Sequence, residues 1–145
     1  MTLRQRAILA LNVIGLLVSG YLTYTHLADT EPICGGFADC SYVQASSYAT
    51  ILGIPVALLG LGAYLVIFVL LIYAFKHSHK MHGYNALQIA FGLSVAGVLY
   101  SAYLTYIEAF VLHAYCLYCV TSAIAITLMT LLLTLEVFQH PIDKV

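Results

Sequence analysis

The sequence predicts an all-α membrane protein, a bundle of four transmembrane helices. Composition is the first reason. Of 145 residues, 63% are hydrophobic and 8% are charged, and the mean hydropathy is +0.98. A soluble domain carries about a quarter charged residues. Five Lys and Arg with six Asp and Glu cannot cover a solvated surface. The second reason is that four apolar stretches each reach the roughly 20 residues a helix needs to cross a bilayer. The third is the absence of the period-2 alternation that a membrane barrel would show. Together these exclude a soluble globular enzyme, a disordered chain and a nucleic-acid binder with a basic face.

The spans follow in order. Span one covers residues 7–27, behind Arg4 and Arg6. An Arg-flanked first span can be a signal peptide, but Tyr-Leu-Thr-Tyr-Thr-His at 21–26 offers no small-residue cleavage site, so the helix is retained. A long segment, residues 28–50, carries Asp29, Glu31 and Asp39. Span two covers residues 51–75, span three 84–107 and span four 116–138. Lys76 and Lys80 lie between spans two and three, and Lys144 follows span four, so all five cations fall on one side. The positive-inside rule makes that side cytoplasmic. Both termini are then inside, and the 28–50 segment faces out. The expected location is the plasma membrane, with multiple passes.

The remaining polar residues have ordinary expectations. Asn12 and Gln88 sit within spans, where bonding between helices is the default. Glu136, near the inner end of span four, is expected to snorkel. Glu108 reads as a surface charge at the outer end of span three, and His113 as an interfacial residue near the cysteines. His77, His79 and His82 share a short turn with Lys76 and Lys80, which reads as solvated rather than as a metal tract.

An internal repeat runs through spans one and three. Residues 11–24 and 93–106 match without gaps at 9 of 14 positions, including Gly-xxx-Ser-x-Tyr-Leu-Thr-Tyr in both. The offset of 82 also carries Cys34 onto Cys116. Duplication of a two-span unit explains it. Gly15 with Ser19, and Gly97 with Ser101, place small residues four apart, which lets neighbouring helices approach closely. Tyr21, Tyr24, Tyr103, Tyr106, Tyr115 and Tyr118 gather at the outer ends. They form an aromatic belt or line a pocket for a flat, lipid-soluble ligand.

The four cysteines all fall on the outer, oxidising side. Cys34 and Cys40 lie in the long segment, and Cys116-Leu-Tyr-Cys119 opens span four. Two residues between cysteines on a helical turn bring both sulfurs to one face. A helix N-terminus stabilises a thiolate, which can attack or leave. A pair that closes so small a ring gains little as a staple. The glycines of Cys34-Gly-Gly-Phe-Ala-Asp-Cys40 suit a segment that exchanges disulfides through a mixed intermediate. Two inert disulfides, or a Cys₄ zinc site in a non-catalytic assembly or metal-handling protein, are the other readings.

These elements together resemble the vitamin K epoxide reductase family in its compact prokaryotic form. The resemblance rests on Cys34 and Cys40, then Ser46, then Gly53-Ile-Pro-Val-Ala-Leu-Leu-Gly60 opening span two, then Cys116-Leu-Tyr-Cys119, and it covers nearly the whole chain. It implies a single-domain four-helix bundle around a quinone, capped by the outer loop and a half-helix over residues 41–50. It implies that Cys116 and Cys119 are the active-site pair, with Cys119 nearest the quinone. Cys34 and Cys40 are then the shuttle pair, Cys40 exchanging with Cys116 and Cys34 with an external protein. Ser46 is implied to bond the quinone, a menaquinone, ubiquinone or similar, and Tyr115 and Phe37 are further candidate contacts. Animal members carry a Tyr four residues after the second active-site cysteine. Here that position is Ala123, which is compatible with a plain quinone. Many prokaryotic members carry a fused thioredoxin-like domain. These 145 residues hold none, so the implied partner is a separate thioredoxin-fold thiol oxidase. The expected reaction is quinone-linked disulfide formation by a monomer, with no metal and no nucleic acid. The disulfide bond protein B type is disfavoured, because it carries its Cys-x-x-Cys in the first outer loop, the reverse of the order here.

Overall fold

A computed structural model describes residues 2–28, 50–77, 79–113 and 117–143. Four long helices dominate: α1 (Leu3–Leu27), α2 (Val56–Lys76), α3 (Met81–Ile107) and α4 (Leu117–Asp143). A two-stranded hairpin, β1 (Thr50–Ile51) with β2 (Ile54–Pro55), precedes α2, and a π-helical segment, Glu108–Leu112, extends α3. Each long helix contains a stretch apolar and long enough to cross a membrane.

The helices form a closed ring in which each packs against its two neighbours and diagonal pairs scarcely touch. Side-chain pairs step along α1 and α4 in opposite directions: Arg4 meets Glu136, Asn12 meets Met129, and Tyr21 meets Tyr118. Neighbours are thus antiparallel, as short connections require. One end of the bundle holds Arg4 and the α2–α3 turn. The other holds Cys119.

The helix limits differ from the expected spans for local reasons. α1 begins at Leu3 because Thr2 and Gln5 form a capping box: the Gln5 amide donates to Thr2 Oγ1 at 3.2 Å and the Thr2 amide to Gln5 Oε1 at 3.3 Å. α2 begins at Val56, not at residue 51. Ile51 pairs with Ile54 across a tight turn with φ of 53° at Leu52 and 81° at Gly53. Two positive φ values in a two-residue connection are the type that matches strand twist. Pro55 then disfavours helix at the residue before it. An apolar window cannot see this, since every residue but Thr50 is apolar or Gly. α3 starts three residues early and runs on into the π-helical turn, ending where His113 adopts φ 52°.

The repeat is a structural one. At the offset of 82, Ile8 matches Ala90 and Asn12 matches Ser94, and all four are 0% exposed. Gly15 matches Gly97, and both mark closest approach. A Cβ on Gly15 would lie 2.3 Å from the Tyr64 ring of α2, and one on Gly97 would lie 2.4 Å from Ile126 Cδ1 of α4. Ser19 is buried as well, so the small-residue face of α1 is a helix–helix contact.

Glu136 does not snorkel. It is buried, accepts from Arg4 Nε at 2.6 Å and Gln5 Nε2 at 2.8 Å, and so ties the capped start of α1 to α4. Burying its carboxylate is tolerable because both oxygens are satisfied. Gln88 is exposed rather than bonded across helices. Asn12 does reach across, Nδ2 donating to Met129 Sδ at 3.7 Å, while its Oδ1 has no protein partner. His79 and His82 are exposed in the turn, and His77 stacks on Tyr73.

Candidate functional site

Packing is uneven along the bundle. From Tyr64 toward the Arg4 end, Ile67, Leu71, Leu87, Ala90, Met129 and Leu133 close a dry core, each at most 2% exposed. Toward the Cys119 end the picture changes. No residue in 56–63 of α2, 95–106 of α3 or 117–124 of α4 is buried. Among the described residues, the buried positions at this end are Ser19, Leu22, Thr23 and Thr25 of α1, with Ile107 and Glu108 where α3 ends. The hydroxyls of Thr23 and Thr25 are spent on their own helix, bonding the carbonyls of Ser19 and Leu22. Among the described residues, the Cys119 half of the bundle therefore holds fewer buried side chains than the Arg4 half.

Cys119 is the third residue of α4 and is partly buried. It lies at the end of the bundle opposite Arg4. Beside it, Tyr118 packs on Tyr21 of α1 with ring centroids 5.1 Å apart. Tyr24, Tyr103 and Tyr106 are each more than half exposed. They form the outward-facing belt, so of the described outer tyrosines only Tyr21 and Tyr118 turn toward the bundle.

One turn inward from Cys119, Ser122 meets Tyr64. The Tyr64 hydroxyl lies 2.9 Å from Ser122 Oγ and 3.1 Å from the Ser122 carbonyl oxygen. Tyr64 is 3% exposed, crosses from α2 to α4, and fits because Gly15 leaves room for its ring. This pair marks the limit of the dry core on the Cys119 side. It was not among the sequence-derived site residues. The available signals were a hydroxyl three residues after Cys119 and a tyrosine hydroxyl in the middle of the apolar run of α2.

Glu108 is not a surface charge. It is 3% exposed and begins the π-helical turn that joins α3 to the segment before α4. His113 is exposed, with left-handed backbone, and its amide donates to the Glu108 carbonyl. Of the sequence-derived site residues, the structure places Cys119. Cys34, Phe37, Cys40, Ser46, Tyr115 and Cys116 lie outside the described residues, as does the half-helix expected over 41–50. Among the described residues, no group of three His, Cys, Asp or Glu side chains can hold a metal ion.

Cys119 thus sits at one end of a four-helix apolar bundle, beside an aromatic pair. A family model described as the vitamin K epoxide reductase family matches residues 6–134, nearly the whole chain. The chain belongs to the vitamin K epoxide reductase family. It is thus a multi-pass membrane oxidoreductase built as a helical bundle, in a family that uses quinones and thioredoxin-like partners. The residues present fit a quinone. The Cys119 half offers apolar helix faces and the Tyr21–Tyr118 aromatic pair, which suit a flat, lipid-soluble ring.

Proposed function

We propose that this family member is a quinone-linked thiol–disulfide oxidoreductase that promotes disulfide formation in exported proteins. The observation that carries the reading is Cys119 on α4 beside the Tyr21–Tyr118 pair, at the end of the bundle opposite Arg4, in a chain of this family. Cys116 and Cys119 are the pair nearest the quinone, and Cys34 and Cys40 pass electrons to them from a separate thioredoxin-fold thiol oxidase. The charge distribution supports cysteines on the extracytoplasmic side, since Arg4, Arg6, Lys76, Lys80 and Lys144 belong to the opposite end. Ser46, Phe37 and Tyr115 are the further contacts to the quinone.

The chain's own residues divide the work. α4 carries Cys119 next to Tyr118, whose ring packs on Tyr21 of α1. The Cys40 thiolate attacks Cys116 of the Cys116–Cys119 disulfide and expels Cys119, and Cys34 then attacks Cys40 and expels Cys116, leaving a Cys34–Cys40 disulfide and a Cys116–Cys119 dithiol. The Cys119 half of the bundle orients the quinone, and the dry core beneath limits its depth. When bound, the quinone takes up the two electrons and two protons released as the Cys116–Cys119 dithiol becomes a disulfide. The test is quinone-dependent reoxidation of a reduced thioredoxin-fold protein by the wild type and by each single Cys→Ala variant. The proposal expects activity in the wild type and loss in all four variants. Equal activity in all five proteins would end it.

A further inference from the structure

The Arg4 end of the bundle is charged unevenly. In the sequence its five cations, Arg4, Arg6, Lys76, Lys80 and Lys144, stand against two acids, Glu136 and Asp143. One acid is spent inside the bundle, because Glu136 is buried and pairs with Arg4 at 2.6 Å. Asp143 neighbours Lys144 in the chain. Three cations are left over. Arg6, Lys76 and Lys80 are all exposed, and none has a carboxylate partner among the described residues. In a chain with so few charges, three uncompensated cations at one end form a distinct surface.

The fold holds these cations at nearly one depth. Gly15 of α1 meets Tyr64 of α2, which sets the register of that antiparallel pair. Counting outward from the contact at 1.5 Å per residue, Arg6 and Lys76 differ in depth by only about 5 Å. Lys80 follows across a turn whose backbone is fixed. Its amide donates to the His77 carbonyl at 2.9 Å, and its own carbonyl accepts from the Gly83 amide at 3.1 Å. His77 stacks on Tyr73, and Gly83 abuts the His77 backbone too closely to admit a Cβ. Lys76 closes α2 and Lys80 precedes α3, so both stand where two membrane-crossing stretches end. That is the level of lipid headgroups. Met81, next to Lys80, is 75% exposed and offers apolar contact at the same place.

We propose that Arg6, Lys76 and Lys80 form a docking surface for the headgroups of anionic phospholipids. Charge complementarity selects the occupant. A zwitterionic headgroup carries an ammonium that cancels its own phosphate, so three uncompensated cations gain little from it. A headgroup of net negative charge answers them, and each Lys or Arg beside an anionic lipid surface adds about 5-fold to affinity. The surface lies at the end of the bundle away from Cys119, so the inference is independent of the quinone-linked reading.

The test is binding of dioctanoyl phosphatidylglycerol and dioctanoyl phosphatidylcholine to the full chain in a neutral detergent, read by native mass spectrometry. The wild type is expected to bind phosphatidylglycerol at least about 10-fold more tightly than phosphatidylcholine. Lys76→Gln with Lys80→Gln is expected to weaken phosphatidylglycerol about 25-fold, 5-fold for each lysine, and to leave phosphatidylcholine unchanged. Lys76→Arg with Lys80→Arg keeps both charges and is expected to bind as the wild type does. Excess inorganic phosphate is expected not to displace the lipid. Equal affinity of the wild type for the two lipids would overturn the inference, and so would undiminished phosphatidylglycerol binding by the glutamine variant. Displacement by inorganic phosphate would overturn it too, by making this a site for free anions. If the glutamine variant does not fold, the two lipids compared on the wild type decide alone. None of these results bears on the quinone reading, which is judged at the cysteines.

Discussion

Gly15→Ala and Gly97→Ala alter equivalent positions of the repeat, yet the structure predicts unequal consequences. An added Cβ at Gly15 would lie 2.3 Å from both Cε1 and Cζ of Tyr64 and 2.8 Å from Cδ1. A flat ring met at three atoms cannot swing aside by one rotamer. It must translate by about an ångström, and its hydroxyl bond to Ser122 goes with it. Overpacking of this kind costs about 1–3 kcal/mol, and a hydrogen bond between membrane helices is worth about 0.6–1.7 kcal/mol. Replacing Gly by Ala in a helix returns about 1 kcal/mol, so the net loss is about 1–3 kcal/mol. At Gly97 the added Cβ would lie 2.4 Å from Ile126 Cδ1 and 3.6 Å from Cγ1. That methyl is the end of a flexible chain, and moving it costs about 0.5–1.5 kcal/mol, close to the helix gain. Gly97→Ala is therefore expected to be nearly neutral, with a gap of about 2 kcal/mol between the two variants. The assay is reversible unfolding of both variants in bicelles by steric trapping. Equal stabilities, or Gly97→Ala as the weaker protein, would refute the reasoning.

Other expectations follow from the same geometry. Gly83→Ala should be more damaging still, at about 2–3 kcal/mol, because the new Cβ would lie 2.1 Å from the His77 backbone oxygen and the tight α2–α3 turn would have to open; steric trapping reads it directly. Arg4→Ala should cost about 1–3 kcal/mol by removing the partner of a buried carboxylate, whereas Arg4→Ala with Glu136→Gln should recover most of it, a double-mutant cycle that fails if the losses simply add. Leu52→Gly should not destabilise the protein. Leu52 is 98% exposed at φ 53°, so the change relieves about 1–2 kcal/mol of left-handed strain while losing no packing, and a drop in melting temperature would contradict this.

The bundle was legible in the sequence because bilayer spanning leaves a crude signal in length and apolarity, and α1, α3 and α4 fall close to where that signal puts them. The five residues before Val56 were not, since Ile51, Leu52 and Ile54 are as apolar as the helix they precede. Only the pairing of Gly53 with Pro55 hinted at a turn. The repeat was legible down to its glycines, and burial of Asn12 with Ser94 shows that it encodes facing as well as topology. The polar exceptions were harder. Glu136 and Gln88 look alike in a hydropathy window, yet Glu136 faces Arg4 and Gln5 whereas Gln88 faces outward, and only the ring arrangement decides that. Glu108 reads as a surface charge because it borders an apolar span, but the π-helical turn it starts carries it inward. Cys119 was legible from its spacing to Cys116. Ser122 and Tyr64 were not, because their meaning lies in a contact between helices far apart in the chain.

The central claim is that electrons leave the protein's dithiols for a quinone through the pair that includes Cys119. The most direct measurement is an anaerobic titration of the fully reduced chain in nanodiscs with menadione, counting thiols lost against menadiol formed. The account predicts two thiols lost for each menadiol in the wild type and neither change in Cys119→Ala. Menadiol formed at the wild-type rate by Cys119→Ala would contradict it.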